Sequence, residues 1–216
     1  MIENLTNVSE DIRTTFEQID AVREDAYKIS REITKTCANA IRAVHRSEWE
    51  LAESLITEAR EMVTSMVNAT GNFPQIYWAG YTQDCLKEFV EAEHTYALVR
   101  GLPIQGPGEL NVSEAAWLNG LAEAASELRR KVLDILRHGH AEEAEKLLEQ
   151  MDEIYSLMVT FDFRDAITGG LRRRTDQLRA VLERTRGDIT TSIRQSDLTR
   201  ALEALESKLG GPDTDQ

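Results

Sequence analysis

The chain has 216 residues, of which 38 are acidic and 25 basic, so its formal net charge is -13. With 41% hydrophobic and 29% charged residues it has the composition of a globular protein of one large or two small domains, which excludes fibrous and fully disordered classes. The chain contains only four prolines, so little interrupts helix formation and an all-α protein is expected.

Helical periodicity predicts seven helices, and no segment has the alternating apolar pattern of a strand. Gly101 and a proline-containing loop end the third helix, and Ser113 is the expected N-cap of the fourth. The predicted helices span residues 8–45, 48–67, 74–100, 113–137, 141–159, 165–185 and 188–209. We therefore predict a single all-α bundle of about seven helices, a domain over residues 1–209, and a flexible C-terminal tail over residues 210–216.

The location of the protein is predicted from what the sequence lacks. No apolar run approaches the roughly 20 residues that span a bilayer, and the first residues lack the basic and apolar parts of a signal peptide. Cys37 and Cys85 are too few for a disulfide framework and are expected to be reduced core residues. We therefore expect a cytoplasmic protein with no membrane partner.

The acidic net charge normally argues against a nucleic-acid partner. Among the 25 basic residues, however, only 6 are lysine and 19 are arginine. Scarce lysine with excess glutamate resembles the surfaces of proteins from salt-rich cytoplasm, where salt screens the repulsion between acids. The distribution of the cations is therefore more informative than their sum.

One face of the first predicted helix carries a row of cations. With about 100° between successive residues, this row lies opposite the apolar face. Its members are Lys28, Arg31, Lys35, Arg42 and Arg46, with His45 at the edge. Such a row can follow a phosphate backbone, but the ordinary solvated face of an amphipathic helix explains it equally well. The second basic cluster, residues 172–174, spreads around its helix and is interpreted as a solvated face or a subunit contact.

Two predicted helices each carry a pair of carboxylates. Glu88 and Glu91 share a face of the third helix, and Glu123 and Glu127 share a face of the fourth. Together they could bind Mg²⁺ or Mn²⁺, which prefer oxygen ligands and promote phosphodiester hydrolysis. The alternative is simple solvent exposure, which suits Glu123 and Glu127 because they lie opposite the apolar stripe of their helix.

A di-iron oxidase is a competing interpretation of the third helix. Glu91 and His94 form a Glu-x-x-His pair, which helical di-iron proteins use twice. Neither His45, His138 nor His140 has a glutamate three positions earlier, so the second half of the motif is missing. The sequence therefore does not support a di-iron site.

Several dispersed motifs resemble the translin superfamily, in helix order and spacing over nearly the whole chain. They lie at residues 29–46, 73–74, 88–92 and 126–130. Because the acidic positions are present, the resemblance is to translin-associated factor X (Trax) rather than to translin itself. In Trax-type members these acids form a metal-dependent ribonuclease site, and they match Glu88, Glu91, Glu123 and Glu127 here. Glu123 departs from the family pattern, which has Asp at that position.

The resemblance implies an all-α fold, closed homo-oligomers up to octamers, and single-stranded RNA or DNA bound on the interior surface. It predicts an endoribonuclease that uses Mg²⁺ or Mn²⁺ to cut single-stranded RNA, with the cations of the first helix holding phosphates. The alternative is a non-catalytic, translin-like oligomer that binds single-stranded RNA or DNA. A purely structural helical assembly is a third possibility.

Overall fold

The computed structural model describes residues 3–209, and in this part of the chain every regular element is a helix. The helices are α1 (Glu3–His45), α2 (Trp49–Thr70), α3 (Pro74–Tyr77), α4 (Gly80–Arg100), α5 (Pro107–Leu110), α6 (Glu114–Arg137), α7 (Ala141–Met158), α8 (Asp165–Thr168) and α9 (Leu171–Leu209). The predicted all-α fold is confirmed. The predicted tail, residues 210–216, lies outside the described residues.

Two large apolar clusters, with a small third one between α1 and α2, form the core, and α4 and α6 run between the two large clusters. The first cluster joins α1, α2 and α4 through residues such as Ile33, Met66 and Phe89. The second joins α6, α7 and α9 through residues such as Leu128 and Met151. Because α4 packs along α6, the two clusters meet at one seam, and acidic residues of both helices lie there.

Two predicted helix ends are confirmed. Gly101 takes the left-handed conformation (φ 66°) that ends α4, which glycine adopts without a steric penalty. The Ser113 side chain accepts a hydrogen bond from the Ala116 amide (3.2 Å), so it caps the first turn of α6. These two positions therefore set the last residue of α4 and the first residue of α6.

The third predicted helix is wrong in one respect, because the structure divides it at Trp78 and Ala79. Two side chains from the first turn of α4 bond carbonyls of α3: Thr82 donates to Ile76 and Gln83 to Tyr77, each at 2.8 Å. These bonds satisfy backbone acceptors that a continuous helix would use, so the chain can turn between the segments.

The last two predicted helices are also corrected. The predicted break near residues 185–188 is absent, because Leu178, Leu182 and Ile189 form one continuous buried stripe of α9. The chain instead turns after α8, where Gly169 (φ 61°) and Gly170 (φ 86°) both have the left-handed conformation. Thus α9 begins at Leu171, and Arg174 occupies its first turn.

Close approach of α4 and α6 depends on Gly120. A Cβ atom at this position would lie 2.6 Å from the Cβ of Val90 and 2.7 Å from the carbonyl oxygen of Lys87. Neither neighbour can move without displacing the backbone of α4. Glycine therefore sets the spacing of the two helices next to the acidic residues.

Replacing Gly120 with Ala should destabilise the protein by about 1–3 kcal/mol, because the added methyl group forces the helices apart. Chemical denaturation measures this change. Gly187→Ala is the matched control, since its Cβ would meet no atom within 4 Å and should stabilise α9 by up to about 1 kcal/mol. Equal stability of Gly120→Ala and the parent would contradict the proposed constraint.

Candidate metal and nucleic-acid site

Three of the four predicted carboxylates converge across the α4–α6 seam. Glu88, Glu91 and Glu123 each offer one oxygen, and these oxygens lie within 4.8 Å of one another. All three side chains are partly buried, which differs from the simple solvent exposure that the apolar pattern of α6 suggested for Glu123. We call these three residues the carboxylate cluster.

Two cations that sequence reasoning missed contact the carboxylate cluster. The Lys87 ammonium donates to Glu88 (2.8 Å) and also to Glu123, so it bridges the two helices. Arg174 donates from Nε to the other oxygen of Glu123 at 2.8 Å. Each cationic side chain is only 11% exposed. The interpretation of residues 172–174 as a solvated face or subunit contact is therefore wrong for Arg174.

Glu91 is the cluster member with the most perturbed ionisation. Burial first, and then the negative charges of Glu88, Glu123 and Glu127, raise the pKa of its carboxyl to about 8, although Lys87 lowers it. The negative charges of the neighbouring carboxylates thus act on Glu91 in addition to burial, and Lys87 offsets them only in part. A divalent cation would supply that missing compensation.

Glu127 stands beside the carboxylate cluster but outside its close group. Its carboxylate lies 2.8 Å from Nε2 of His45, at the last turn of α1. The His45 side chain is 3% exposed, so it is not at the edge of the cationic row where sequence analysis placed it. The His45 ring lies between α1 and α6 and away from solvent, and from this position it can orient the Glu127 carboxylate.

The residues present fit Mg²⁺ or Mn²⁺ in donor chemistry, since three hard carboxylate oxygens converge from two rigid helices. Both oxygens of Glu123 already accept from cations, so a metal ion bound there would share or compete for this carboxylate with Lys87 and Arg174. The longer side chain of Glu123, compared with aspartate, brings its carboxylate within reach of α9.

The five remaining predicted nucleic-acid contacts are exposed, four of them on α1 and Arg46 in the turn that follows it. Within the range 3–209, no carboxylate lies within 4.0 Å of Lys28, Arg31 or Lys35. Arg42 donates to Asn39 (2.6 Å), and Arg46 lies 3.9 Å from Glu48. Glu24, Asp25 and Glu32 nevertheless line the same surface groove as the first three cations. The row is therefore accessible to phosphates but is not purely positive.

His94 has a structural environment unrelated to the carboxylate cluster. Nε2 of its buried ring lies 3.2 Å from the carbonyl oxygen of Gln105, and the ring packs edge-on against Trp117. Burial lowers its pKa to about 4, so it is neutral near pH 7. This placement agrees with rejection of the di-iron motif.

No family model matches the chain, but individual proteins do. It is 33% identical over 189 residues to the uncharacterized protein MJ0175 of Methanocaldococcus jannaschii, covering 87% of this chain and 83% of that protein. It also resembles the solved structure of AfC3PO, with 34% identity, a TM-score of 0.80, and coverage of 86% of this chain and 97% of the other.

The chain belongs to the C3PO/translin family. A second C3PO structure, AfC3PO in complex with duplex RNA, has a TM-score of 0.79 at 33% identity and covers 86% of this chain and 96% of the other. The apo-NeC3PO structure, at 21% identity and a TM-score of 0.76 over 89% of this chain and 98% of the other, shares the fold. The resemblance to the translin superfamily drawn from short motifs is thus confirmed.

The raised pKa of Glu91 makes the stability of this family member dependent on pH. The pKa of about 8 in the folded protein exceeds the ordinary value of 4.5. The contribution of the Glu91 carboxyl to the free energy of unfolding is therefore fully present below about pH 4.5, and it is lost as the pH rises through about 8. Without divalent metal, Glu91→Gln should therefore be more stable than the parent above pH 8, by on the order of a few kcal/mol.

Urea denaturation in a chelator, from about pH 5 to about pH 9, tests this expectation. Glu32→Gln, an exposed substitution on α1, is the control and should follow the parent. If the curves for Glu91→Gln and the parent run parallel throughout, Glu91 does not carry the uncompensated charge.

Proposed function

We propose that the protein is a Trax-type endoribonuclease that uses Mg²⁺ or Mn²⁺ to cleave single-stranded RNA. The observation that carries this proposal is the convergence of Glu88, Glu91 and Glu123 across the α4–α6 seam. The likeness to AfC3PO, which has been solved with duplex RNA, supports RNA as the ligand class. Single-stranded DNA is a possible second ligand, because phosphate contacts do not distinguish the two polymers.

The proposed chemistry divides among residues with different surroundings. A bound divalent ion would polarise a phosphoryl oxygen and lower the pKa of a water molecule. Glu88, Glu91 and Glu123 provide the metal ligands. Glu127 is close enough to influence the charge of Glu91 but is held by His45, so we assign it to orient the attacking water.

The exposed cations of α1 are proposed to bind the RNA backbone. The row runs along α1 and into the turn after it, with the members Lys28, Arg31, Lys35, Arg42 and Arg46. At the end of α1, His45 contacts Glu127 beside the carboxylate cluster. A strand following this row would therefore be led toward the carboxylates. Because arginine and lysine bind phosphate mainly by charge, this part of the interaction should be strongly salt-dependent.

We propose that the active protein is a homo-oligomer, with an octamer as the form that the resemblance implies. Apolar side chains are exposed at helical spacing near the start of α1 and the end of α9. They are Leu5, Val8, Ile12, Phe16, Leu198, Leu202 and Leu205. Exposed apolar surface of this kind favours association.

We place the activity in the cytoplasm, where RNA is available and the two buried cysteines remain reduced. Among residues 3–209, no helix is both long and apolar enough to cross a membrane.

The non-catalytic, translin-like alternative has one observation in its favour. Lys87 and Arg174 already satisfy both oxygens of Glu123, which stands where Trax-type members have Asp. Under this alternative the cations are permanent partners and the protein binds nucleic acid without cutting it. Mg²⁺-dependent cleavage therefore separates the two functions.

Replacing Glu91 or Glu127 with Gln should lower Mg²⁺-dependent cleavage of labelled single-stranded RNA by on the order of 100-fold, while RNA binding persists. Cleavage should be assayed at both low and molar salt. Glu143→Gln, on the exposed face of α7, is a control that should retain activity. Undiminished cleavage by both variants would remove these residues from the mechanism, and absence of cleavage by the parent would favour the non-catalytic alternative.

The double change Arg31→Ala and Arg42→Ala should weaken RNA binding and reduce the dependence of log affinity on log salt by about two. Binding is measured in a chelator, so that cleavage does not interfere. Arg173→Ala removes an exposed arginine of α9 and serves as the control. An unchanged affinity and salt slope would support a purely structural role for the α1 cations.

A further inference from the structure

A cleft of about 260 Å³ opens beside the carboxylate cluster, between α4, α6, α8 and the first turn of α9. Trp78 and Ile167 lie on its wall, and Lys87 and Arg174 line it from two different helices. The two cations that hold Glu123 are thus also accessible from this cleft. Its size is slightly below the usual range of about 300–1,000 Å³ for ligand sites, which suits one small unit rather than an extended segment.

Trp78 is an exposed aromatic side chain at this cleft, on a backbone turn that hydrogen bonds hold. It is 60% exposed, although large aromatic residues usually bury most of their surface. Its amide donates to the Pro74 carbonyl (2.9 Å), and its ring packs edge-on against Tyr77 with centroids 4.9 Å apart. The Gln83 side chain fixes the same turn through the Tyr77 carbonyl. An indole with an open surface, presented from an ordered turn, is a suitable platform for stacking a base.

Lys87 and Arg174 give the cleft its affinity for an anion. Each now neutralises one oxygen of Glu123, and each side chain is largely shielded from water. A metal ion bound at Glu123 would compete with both cations: Lys87 would keep its contact with Glu88 (2.8 Å), whereas Arg174 would lose its carboxylate partner. A phosphate in the adjoining cleft would supply a new partner to Arg174 and a second one to Lys87. Asp84 also lines the cleft and opposes a phosphate there, but the two cations outnumber it.

We propose that the cleft binds one nucleotide of the RNA strand, with its base stacked on Trp78 and its phosphate bound by Lys87 and Arg174. The proposal rests on the proposed function in taking RNA as the ligand. Metal and phosphate binding would then be coupled, because a phosphate that drew Lys87 and Arg174 toward the cleft would leave more of the Glu123 carboxylate for a metal ion. Such coupling is reciprocal, so each ligand strengthens binding of the other by the same factor.

Adenosine 5′-monophosphate is the probe, because it carries one base and one phosphate and has no phosphodiester bond to cleave. Its affinity is measured by NMR titration of the full chain in a chelator and again in Mg²⁺. Mg²⁺ should strengthen binding. Trp78→Ala should weaken binding about tenfold, whereas Trp78→Phe keeps a stacking surface and should retain most of the affinity.

Glu123→Gln gives the sharpest expectation. This change removes the carboxylate that holds Lys87 and Arg174, so nucleotide binding in a chelator should strengthen by about tenfold. Adenosine, which lacks the phosphate, should bind the parent and Glu123→Gln equally. Arg174→Met should weaken nucleotide binding, while its neighbour Arg173→Met, an exposed position, should not.

The proposal is overturned if Trp78→Ala and Arg174→Met bind the nucleotide as the parent does, or if Glu123→Gln binds it more weakly. Trp78 is exposed, so its replacement leaves the core intact and keeps the test valid even if a variant of a buried cation misfolds. Circular dichroism verifies folding. Since the chelator measurement needs no metal or cleavage, failure of the nuclease assay with the expected nucleotide binding would reject the nuclease and retain the cleft.

Discussion

The close contact of α4 with α6 at Gly120 is the constraint on which the candidate site depends. A side chain at this position would collide with Val90 and with the backbone of Lys87, so the helices can approach only because glycine is present. Glu123 follows Gly120 by one turn of α6, and Lys87 and Glu88 occupy the facing turn of α4. The same packing that joins the two apolar clusters therefore brings like charges together at the seam.

Like charges in a partly buried position need compensation, and the fold provides it from two directions. Lys87 comes from the seam itself and Arg174 from the first turn of α9, which the glycines after α8 place against α6. At Glu91, burial and the charges of the neighbouring carboxylates still raise the pKa to about 8 in spite of Lys87. A site that is rigid, acidic and under-neutralised is suited to a divalent cation, and the displaced cations are suited to a phosphate.

The helices and the acidic pairs could be predicted from sequence because they depend on local patterns. Ser113 and Gly101 have backbone roles that neighbouring residues determine, and Glu88 and Glu91 share a face by helical spacing alone. The break at Trp78 was missed because it depends on side chains of Thr82 and Gln83 that reach back to α3. The continuation of α9 through Gly187 was missed, because the packing of Leu182 and Ile189 outweighs the low helix propensity of glycine.

The parts of the site that sequence did not predict all depend on tertiary contacts. Arg174 was visible in a basic run, but its partner is 51 positions away in the chain, and His45 pairs with Glu127 across 82 positions. Lys87 precedes Glu88, yet only the helix packing shows that it also bridges to Glu123. Net charge could not reveal these contacts, since they involve few residues among many exposed acids.

The carboxylate cluster is proposed to bind a divalent metal ion, with Lys87 or Arg174 leaving its contact with Glu123 when the ion binds. A crystal structure of the protein with Mn²⁺, with the ion located by its anomalous scattering, tests this most directly. If the carboxylate cluster binds metal, a peak should lie between Glu88, Glu91 and Glu123, with Lys87 or Arg174 withdrawn from Glu123. Crystals that contain no Mn²⁺ at these residues, with both cations still on Glu123, would contradict it.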